Sequence, residues 1–298
     1  MATKAKTTSR ARSAKTSRPA AAKAASTKKT VSRTAPIAVA KVNQNKPYDV
    51  TNDLNGSEVI GEMLGTFMLV AVVTATGGNA FLVGIGLVVI ASMMFAVSGA
   101  HVNPAVTFGF WVMRRISAAK MLFYWMAQFV GAILAILVST AFSGSKLNIS
   151  LNSFTQWDWY IVFAELIGTM IFMFGIAAAV NRSKSDSERG LGIGLALVLA
   201  LFISTGLLQQ AVTAASSKVQ ATSESKEAPR LTRVSGTALN PAVALSLSES
   251  DANNAMLASG SPKATMASRL TLETIVGALV GAAAGGRLYM LLTSRQRQ

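Results

Sequence analysis

Two asparagines, Asn103 and Asn240, stand in nearly identical strings: SGAHVNPAVTF at 98–108 and SGTALNPAVAL at 235–245. Asparagine is a favoured helix N-cap, and proline is favoured at the first helical position because its missing N–H needs no partner there. Each string therefore predicts the start of a short helix with a side-chain amide at its N-terminus. Such an amide can hydrogen-bond a neutral polar molecule, while the positive end of the helix dipole disfavours a cation.

The remaining residue types exclude several other chemistries. The chain has no Cys and a single His, His101, which rules out a disulfide, a catalytic thiol, a His-based metal cluster and a catalytic triad. We therefore expect no enzymatic activity, no metal and no cofactor. His101 lies two residues before Asn103, where a hydrogen-bonding wall residue is the ordinary role and a pH gate is the alternative.

The elements that must position these strings are membrane spans. Hydrophobic residues make up 51% of the chain and charged residues 14%, with a mean hydropathy of +0.43, whereas soluble domains are normally about 25% charged. Six stretches are long enough to cross about 30 Å of hydrocarbon with about 20 residues each. They are 57–77, 80–100, 118–142, 158–180, 190–213 and 268–292.

The six spans form an inverted repeat. Glu62 begins EMLGT in the first span and Glu165 begins ELIGT in the fourth, and one Asn-Pro-Ala string follows each second span. Because three spans separate the copies, the halves at about 57–142 and 158–292 have opposite orientations. Two helices of about ten residues, entering from opposite faces, would meet near the bilayer midplane. The predicted fold is an all-α membrane protein with six transmembrane helices and two re-entrant half-helices.

Basic residues predict the orientation and the ends of the chain. Residues 1–46 carry 12 Lys or Arg and no acidic residue, and the positive-inside rule then places both termini in the cytosol. We interpret 1–50 as a disordered basic tail against anionic lipid, with a mitochondrial-type transit peptide as the alternative. Nucleic-acid binding would serve no purpose here. The channel domain is 51–292, a short cytosolic tail is 293–298, and plasma membrane or an intracellular vacuole-type organelle both fit.

These motifs, together with YWMAQFVGA at 124–132, resemble the aquaporin (major intrinsic protein) family over about residues 57–292. The resemblance implies an hourglass channel for water or small neutral solutes, assembled as a homotetramer in the lipid bilayer. It also implies that Glu62 and Glu165 hold the re-entrant loops. The motif residues that it places at the pore centre are Asn103, Pro104, Ala105, Asn240, Pro241 and Ala242.

One departure from that family concerns the selectivity filter. The family usually has Arg directly after the second Asn-Pro-Ala motif, and this chain has Val243. The resemblance assigns the other filter positions to Val83, Leu201 and Thr237. The resulting filter would be apolar and would lack a fixed cation.

A second departure is a polar segment at 214–234, which we interpret as an insertion in an outer loop. A mobile loop is one interpretation, and a lid that brings Arg230 or Arg233 to the filter is the other. On the same predicted face, Asn148 stands in a glycosylation sequon.

Three functions stay open on the sequence. The first is a passive channel for water, with small uncharged solutes as further permeants. The second is a solute facilitator for glycerol-like or urea-like molecules with poor water flux. The missing Arg favours it, while Ala244 opposes it because glycerol channels typically have Asp there. The third is a membrane scaffold or adhesion protein with a closed pore.

Overall fold

The structure is a computed structural model that describes residues 54–144, 149–222, 230–249 and 267–294. Six of its helices are long and apolar enough to cross a membrane, which confirms the predicted fold class. They are α1 (Gly56–Ala75), α2 (Ala80–Ser98), α4 (Ala118–Ser143), α5 (Trp159–Arg182), α6 (Asp186–Thr222) and α8 (Leu272–Ser294). The predicted 1–50 tail and the Asn148 sequon lie outside the described residues.

Two short helices follow the Asn-Pro-Ala strings. They are α3 (Pro104–Val112), between α2 and α4, and α7 (Pro241–Ala244), between α6 and α8. A 3-10 turn at Arg230–Arg233 stands between α6 and α7. We use "outer face" for the face that carries the turn between α1 and α2, because the charge pattern predicts it to be non-cytosolic.

Side-chain caps begin most of these helices, as their sequences require. Asn79 accepts hydrogen bonds from the N–H groups of Phe81 and Leu82, both at 3.1 Å, and Ser117 and Asp158 cap α4 and α5 in the same way. At the other end of α2, Gly99 adopts φ +85°, a left-handed conformation that favours glycine. The chain can therefore turn sharply from α2 into the first Asn-Pro-Ala string.

Glycines let the paired helices of each half approach closely. A Cβ on Gly131 of α4 would lie 2.2 Å from the carbonyl oxygen of Met63 in α1, and one on Gly285 of α8 would lie 2.2 Å from that of Met170 in α5. Close backbone contact through small residues is typical of membrane helices. The contacts α1–α4 and α5–α8 are equivalent in the two halves, as expected for an inverted repeat.

Helix α6 differs from the sequence-based prediction. We expected a span that ends near residue 213 and a loop from 214, but the helix continues to Thr222. Alanine-rich residues there have high helix propensity. Ala211, Val212 and Ala215 also pack against a small apolar cluster that includes Leu231 and Val234. Residues 214–222 are therefore a helical extension rather than a loop.

The second half-helix is shorter than predicted. We expected about ten residues, which fits the nine of α3, but α7 is a single turn of four. The N–H of Ser246 turns back to the carbonyl of Val243 at 2.9 Å. The hydroxyl of Ser268 donates to the carbonyls of Ala244 and Leu245 at 3.1 and 3.2 Å. These contacts satisfy carbonyls that a longer helix would have used internally.

Candidate functional site

Each motif asparagine caps its own short helix. The side-chain oxygen of Asn103 accepts from the N–H groups of Ala105 and Val106 at 2.8 and 3.5 Å. The side-chain oxygen of Asn240 accepts from those of Ala242 and Val243 at 3.0 and 3.3 Å. The caps fix the orientation of both amides, so that their NH2 groups point away from the helix they begin.

The two asparagines also bind each other's loops. Asn103 donates from Nδ2 to the carbonyl of Leu239 at 2.9 Å, and Asn240 donates to the carbonyl of Val102 at 3.0 Å. A side-chain amide has two N–H donors, and these bonds use one in each residue. Both asparagines line the same cavity. Each therefore keeps one N–H for a molecule in that cavity.

Glu62 holds the first loop from inside α1. Its carboxylate accepts from the N–H groups of His101 and Val102 at 2.9 and 2.6 Å, and it also accepts from Ser98 and Gln128, both at 2.7 Å. The side chain is fully buried. A carboxylate at membrane depth is costly unless it has partners, and these four donors explain its presence.

Glu165 holds the second loop in the same way. Its two oxygens accept from the N–H groups of Ala238 and Leu239, both at 2.8 Å. Leu239 has φ +54° and the equivalent Val102 has φ +42°, a left-handed conformation that is costly for these side chains. The two carboxylates thus hold a strained backbone that presents each loop carbonyl to the opposite asparagine.

The string YWMAQFVGA at 124–132, known above only as a motif of the family resemblance, contributes three side chains to the hydrogen bonds of the site. The Tyr124 hydroxyl donates to the Ser98 carbonyl at 2.8 Å, and the Trp125 indole N–H donates to the Pro104 carbonyl at 2.9 Å. Gln128 donates to both Glu62 and the hydroxyl of Thr107. These α4 side chains fasten the first re-entrant segment to the bundle.

His101 lies on the cavity wall and is held from two sides. Its ring stacks on Phe110 with centroids 4.4 Å apart, and its Nδ1 lies within hydrogen-bond distance of the Thr107 hydroxyl, at 3.2 Å. These contacts fix the orientation of the ring beside Asn103.

A narrow cavity runs past both asparagines. It leaves about 40 Å³ for the centres of water molecules. All four predicted filter residues, Val83, Leu201, Thr237 and Val243, line it. Glu62, Glu165 and the Pro and Ala of each motif are buried but are not among its lining residues.

Thr237 supplies the polar side chain among those four residues, and its hydroxyl is already engaged. The hydroxyls of Ser204 and Thr237 are 2.6 Å apart and share a hydrogen bond. The Thr237 oxygen also lies 3.3 Å from the hydroxyl of Thr205. Towards the cavity, the four residues therefore offer one hydroxyl, that of Thr237, and three apolar side chains.

The narrow cavity opens into an outer vestibule of about 450 Å³, and the two share Gly78, Leu201, Thr237 and Leu247. Arg269, which the sequence analysis missed, also lines the vestibule. The alternative interpretation of 214–234 as a lid would bring Arg230 or Arg233 to the filter, but Arg233 lines neither cavity. The Arg230 side chain lies outside the described part of the chain. No spacing relative to the Asn-Pro-Ala strings points to Arg269, although an Arg beside a predicted span requires a partner.

Comparisons with known proteins point to one family. Residues 77–218 match the family model described as "Major intrinsic protein". "Aquaporin NIP2-2" of Zea mays is 32% identical over 145 residues, which are 43% of this chain and 48% of that protein. "Glycerol uptake facilitator protein-like 6" of Lactiplantibacillus plantarum is 36% identical over 130 residues, 38% of this chain and 59% of that protein.

The matched regions are partial. The chain spans about half the length of the curated relatives it matches. Among solved structures, the aquaglyceroporin from Plasmodium falciparum is similar over 80% of this chain and 95% of that one, with 20% sequence identity and a TM-score of 0.47.

Proposed function

We propose that the chain is a member of the major intrinsic protein family, whose model matches residues 77–218, and that it is a passive membrane channel for water, with small uncharged solutes as further permeants. One observation carries the proposal: Asn103 and Asn240 each keep one amide N–H for the cavity that they both line. Two fixed donors in a largely apolar passage suit a neutral molecule with an acceptor oxygen.

Permeation would follow from the order of polar groups along the passage. A water molecule from the vestibule meets Thr237, which lines both spaces, before it reaches the two asparagine N–H groups and His101, which line the narrow cavity. At the centre its oxygen accepts from both asparagines, so its protons point away from both. A chain of waters interrupted in this way cannot relay a proton, and the short-helix N-termini disfavour hydronium. No group in this scheme performs a reaction.

The same geometry predicts slow water flux. Val83, Leu201 and Val243 offer no hydrogen bonds to replace those that water loses on entry, and apolar constrictions resist wetting. The absence of a guanidinium at position 243 leaves more space for a neutral solute. This supports the solute facilitator as the second candidate, as does the similarity to the glycerol uptake facilitator-like protein.

We further propose a homotetramer in the lipid bilayer, with both termini cytosolic. Long apolar side chains project from the bundle on several helices, among them Phe81, Val89, Met126 and Phe202. Such surfaces require lipid or a neighbouring subunit. Trp157, Trp159 and Tyr160 are exposed at the start of α5, where amphipathic aromatic side chains suit the membrane interface.

The test is flux through purified protein in liposomes. Stopped-flow light scattering after an osmotic step measures water, and isotonic gradients of urea or glycerol measure solutes. We expect water permeability above that of protein-free liposomes. Solute flux together with a water permeability no higher than that of protein-free liposomes would favour the facilitator. No flux of either water or solutes would favour the closed-pore scaffold.

A further inference from the structure

Arg269 is the largest fully buried side chain among the described residues, with 2% exposure. It precedes α8, and its backbone N–H donates to the carbonyl of Leu247 at 2.9 Å. Its Nη1 donates to the carbonyl of Gly236 at 2.6 Å, and its Nη2 lies 3.6 Å from Oε1 of Glu165. A cation is thus fixed beside the loop that contains Thr237 and Asn240.

The ion pair has a defined direction relative to the passage. Arg269 lines the outer vestibule, whereas Glu165 lines neither that space nor the narrow cavity. The Glu165 carboxylate also accepts hydrogen bonds from the N–H groups of Ala238 and Leu239. Of the described residues that line either space, Arg269 alone carries a full charge. The cationic member of the pair therefore belongs to the vestibule wall, and the anionic member lies behind it against the N–H groups of the loop.

In the first half of the repeat, the corresponding carboxylate of Glu62 has a neutral partner. Glu62 receives the amide of Gln128, which suffices to satisfy a carboxylate that already accepts from two loop N–H groups. A cation beside Glu165 is therefore not required by the loop geometry alone. The difference between the halves lies on the outer side, where a cation would first meet the channel.

On these grounds, and given the channel function proposed above, we propose that Arg269 determines charge selectivity at the outer opening. It supplies from the start of α8 the fixed positive charge that position 243 lacks. Fields of this kind change the local concentration of ions by about 10- to 1000-fold. Neutral molecules pass the same point without that penalty, so selectivity for uncharged permeants does not depend on Val243.

The experiment compares ammonium current with water flux for the same reconstituted protein. Ammonium is close to water in size, and current reports only its charged form. We expect Arg269→Gln to raise the ammonium current across a planar bilayer by about tenfold or more over wild type, with water permeability within about twofold. Arg269→Lys keeps the charge and should keep the current at the wild-type level. Arg287→Gln, which removes an exposed Arg from α8, is the matched control and should change neither.

A second variant covers the case in which Arg269→Gln does not insert, because it leaves Glu165 buried without its cation. Replacing both members of a buried pair is better tolerated than replacing one. Glu165→Gln/Arg269→Gln removes both charges, and its single amide oxygen can still accept from one of the two loop N–H groups that Glu165 binds. We therefore expect it to insert in part and also to conduct ammonium. A neutral variant that carries water but excludes ammonium as wild type does would overturn the proposal. So would failure of both neutral variants to insert, which would assign Arg269 to folding alone. Wild-type water flux at the protein-free level would instead refute the channel function itself.

Discussion

At the residue scale, the site depends on how each polar atom is already used. In each asparagine, the side-chain oxygen caps its own helix and one amide N–H donates to the opposite loop. The second amide N–H remains for a molecule in the cavity. Thr237 and His101 share hydrogen bonds with Ser204 and Thr107. The wall thus combines the amide donors of the two asparagines with the polar groups of Thr237 and His101, a pattern that suits water.

The first prediction concerns Asn240→Asp. The carboxylate can still cap α7, but it cannot donate to Val102 or to water, and it faces a carbonyl oxygen at 3.0 Å. We expect water permeability to fall by about tenfold and the stability to drop by about 1–3 kcal/mol for the lost buried partner. Asn55→Asp is the control, because Asn55 caps α1 through Ser57 and is exposed. Equal water flux in the two correctly inserted variants would contradict the pore model.

The second prediction concerns Val243→Arg. A guanidinium adds volume, a donor fork and a charge beside a cavity with about 40 Å³ for water centres. We expect urea and glycerol uptake to fall by at least about fivefold, and by more than water flux, because a narrower filter excludes larger molecules first. Val243→Leu adds volume without charge and separates the two effects. Unchanged ratios among water, urea and glycerol in both variants would mean that Val243 does not limit passage.

At the element scale, most of the architecture could be predicted because hydrophobic length and cap chemistry are local. The second span was expected at 80–100 and is Ala80–Ser98, and Asn103 followed by Pro104 begins a helix as its residue types require. The features that were predicted wrongly or missed depend on contacts between residues that are distant in sequence. The length of α6 depends on packing against Leu231, and α7 ends where Ser268 satisfies its carbonyls. Arg269 could not be assigned because its partners, Glu165 and Gly236, are remote in sequence.

The third prediction tests the close contact between α1 and α4. Gly131→Ala would place a methyl group 2.2 Å from the carbonyl oxygen of Met63, so the helices must separate and lose packing. We expect a loss of about 1–3 kcal/mol in stability, as for other overpacked sites, seen as a lower melting temperature in detergent. Gly206→Ala is the control, since a Cβ there meets nothing within 4 Å. It should gain up to about 1 kcal/mol from helix propensity. Equal melting temperatures for both variants would show that the contact is looser than the structure has it.

At the scale of the whole molecule, charge and channel are segregated along the chain. The formal net charge is +15, and residues 1–46 carry 12 of the basic residues with no acidic ones. Among the described residues that line the passage, Arg269 is the charged one. Attraction to anionic lipid and passage of solutes should therefore be separable functions.

The fourth prediction follows from that separation. Deleting residues 1–46 removes 12 positive charges from a formal +15 and leaves +3. Each basic residue near an anionic surface contributes about 1 kcal/mol of attraction, so association with anionic membranes should weaken. Water flux per reconstituted channel should stay within about twofold of the full chain. A marked loss of flux per channel, at equal insertion, would instead make the tail part of the pore or its gate.

The reciprocal bonds between the asparagines and the opposite loops also constrain the order of biosynthesis. The partner of Asn103 is 136 residues further along the chain, which a ribosome takes about 7–27 s to make at 5–20 residues per second. During that interval Val102 must hold its left-handed backbone through Glu62 alone. The hydrogen bonds of the first re-entrant segment are thus complete only when the second segment has been made. The centre of the pore therefore forms late in synthesis, when both segments bind each other. Chains truncated before Leu239 should be recognised as unfinished by the cell that makes them.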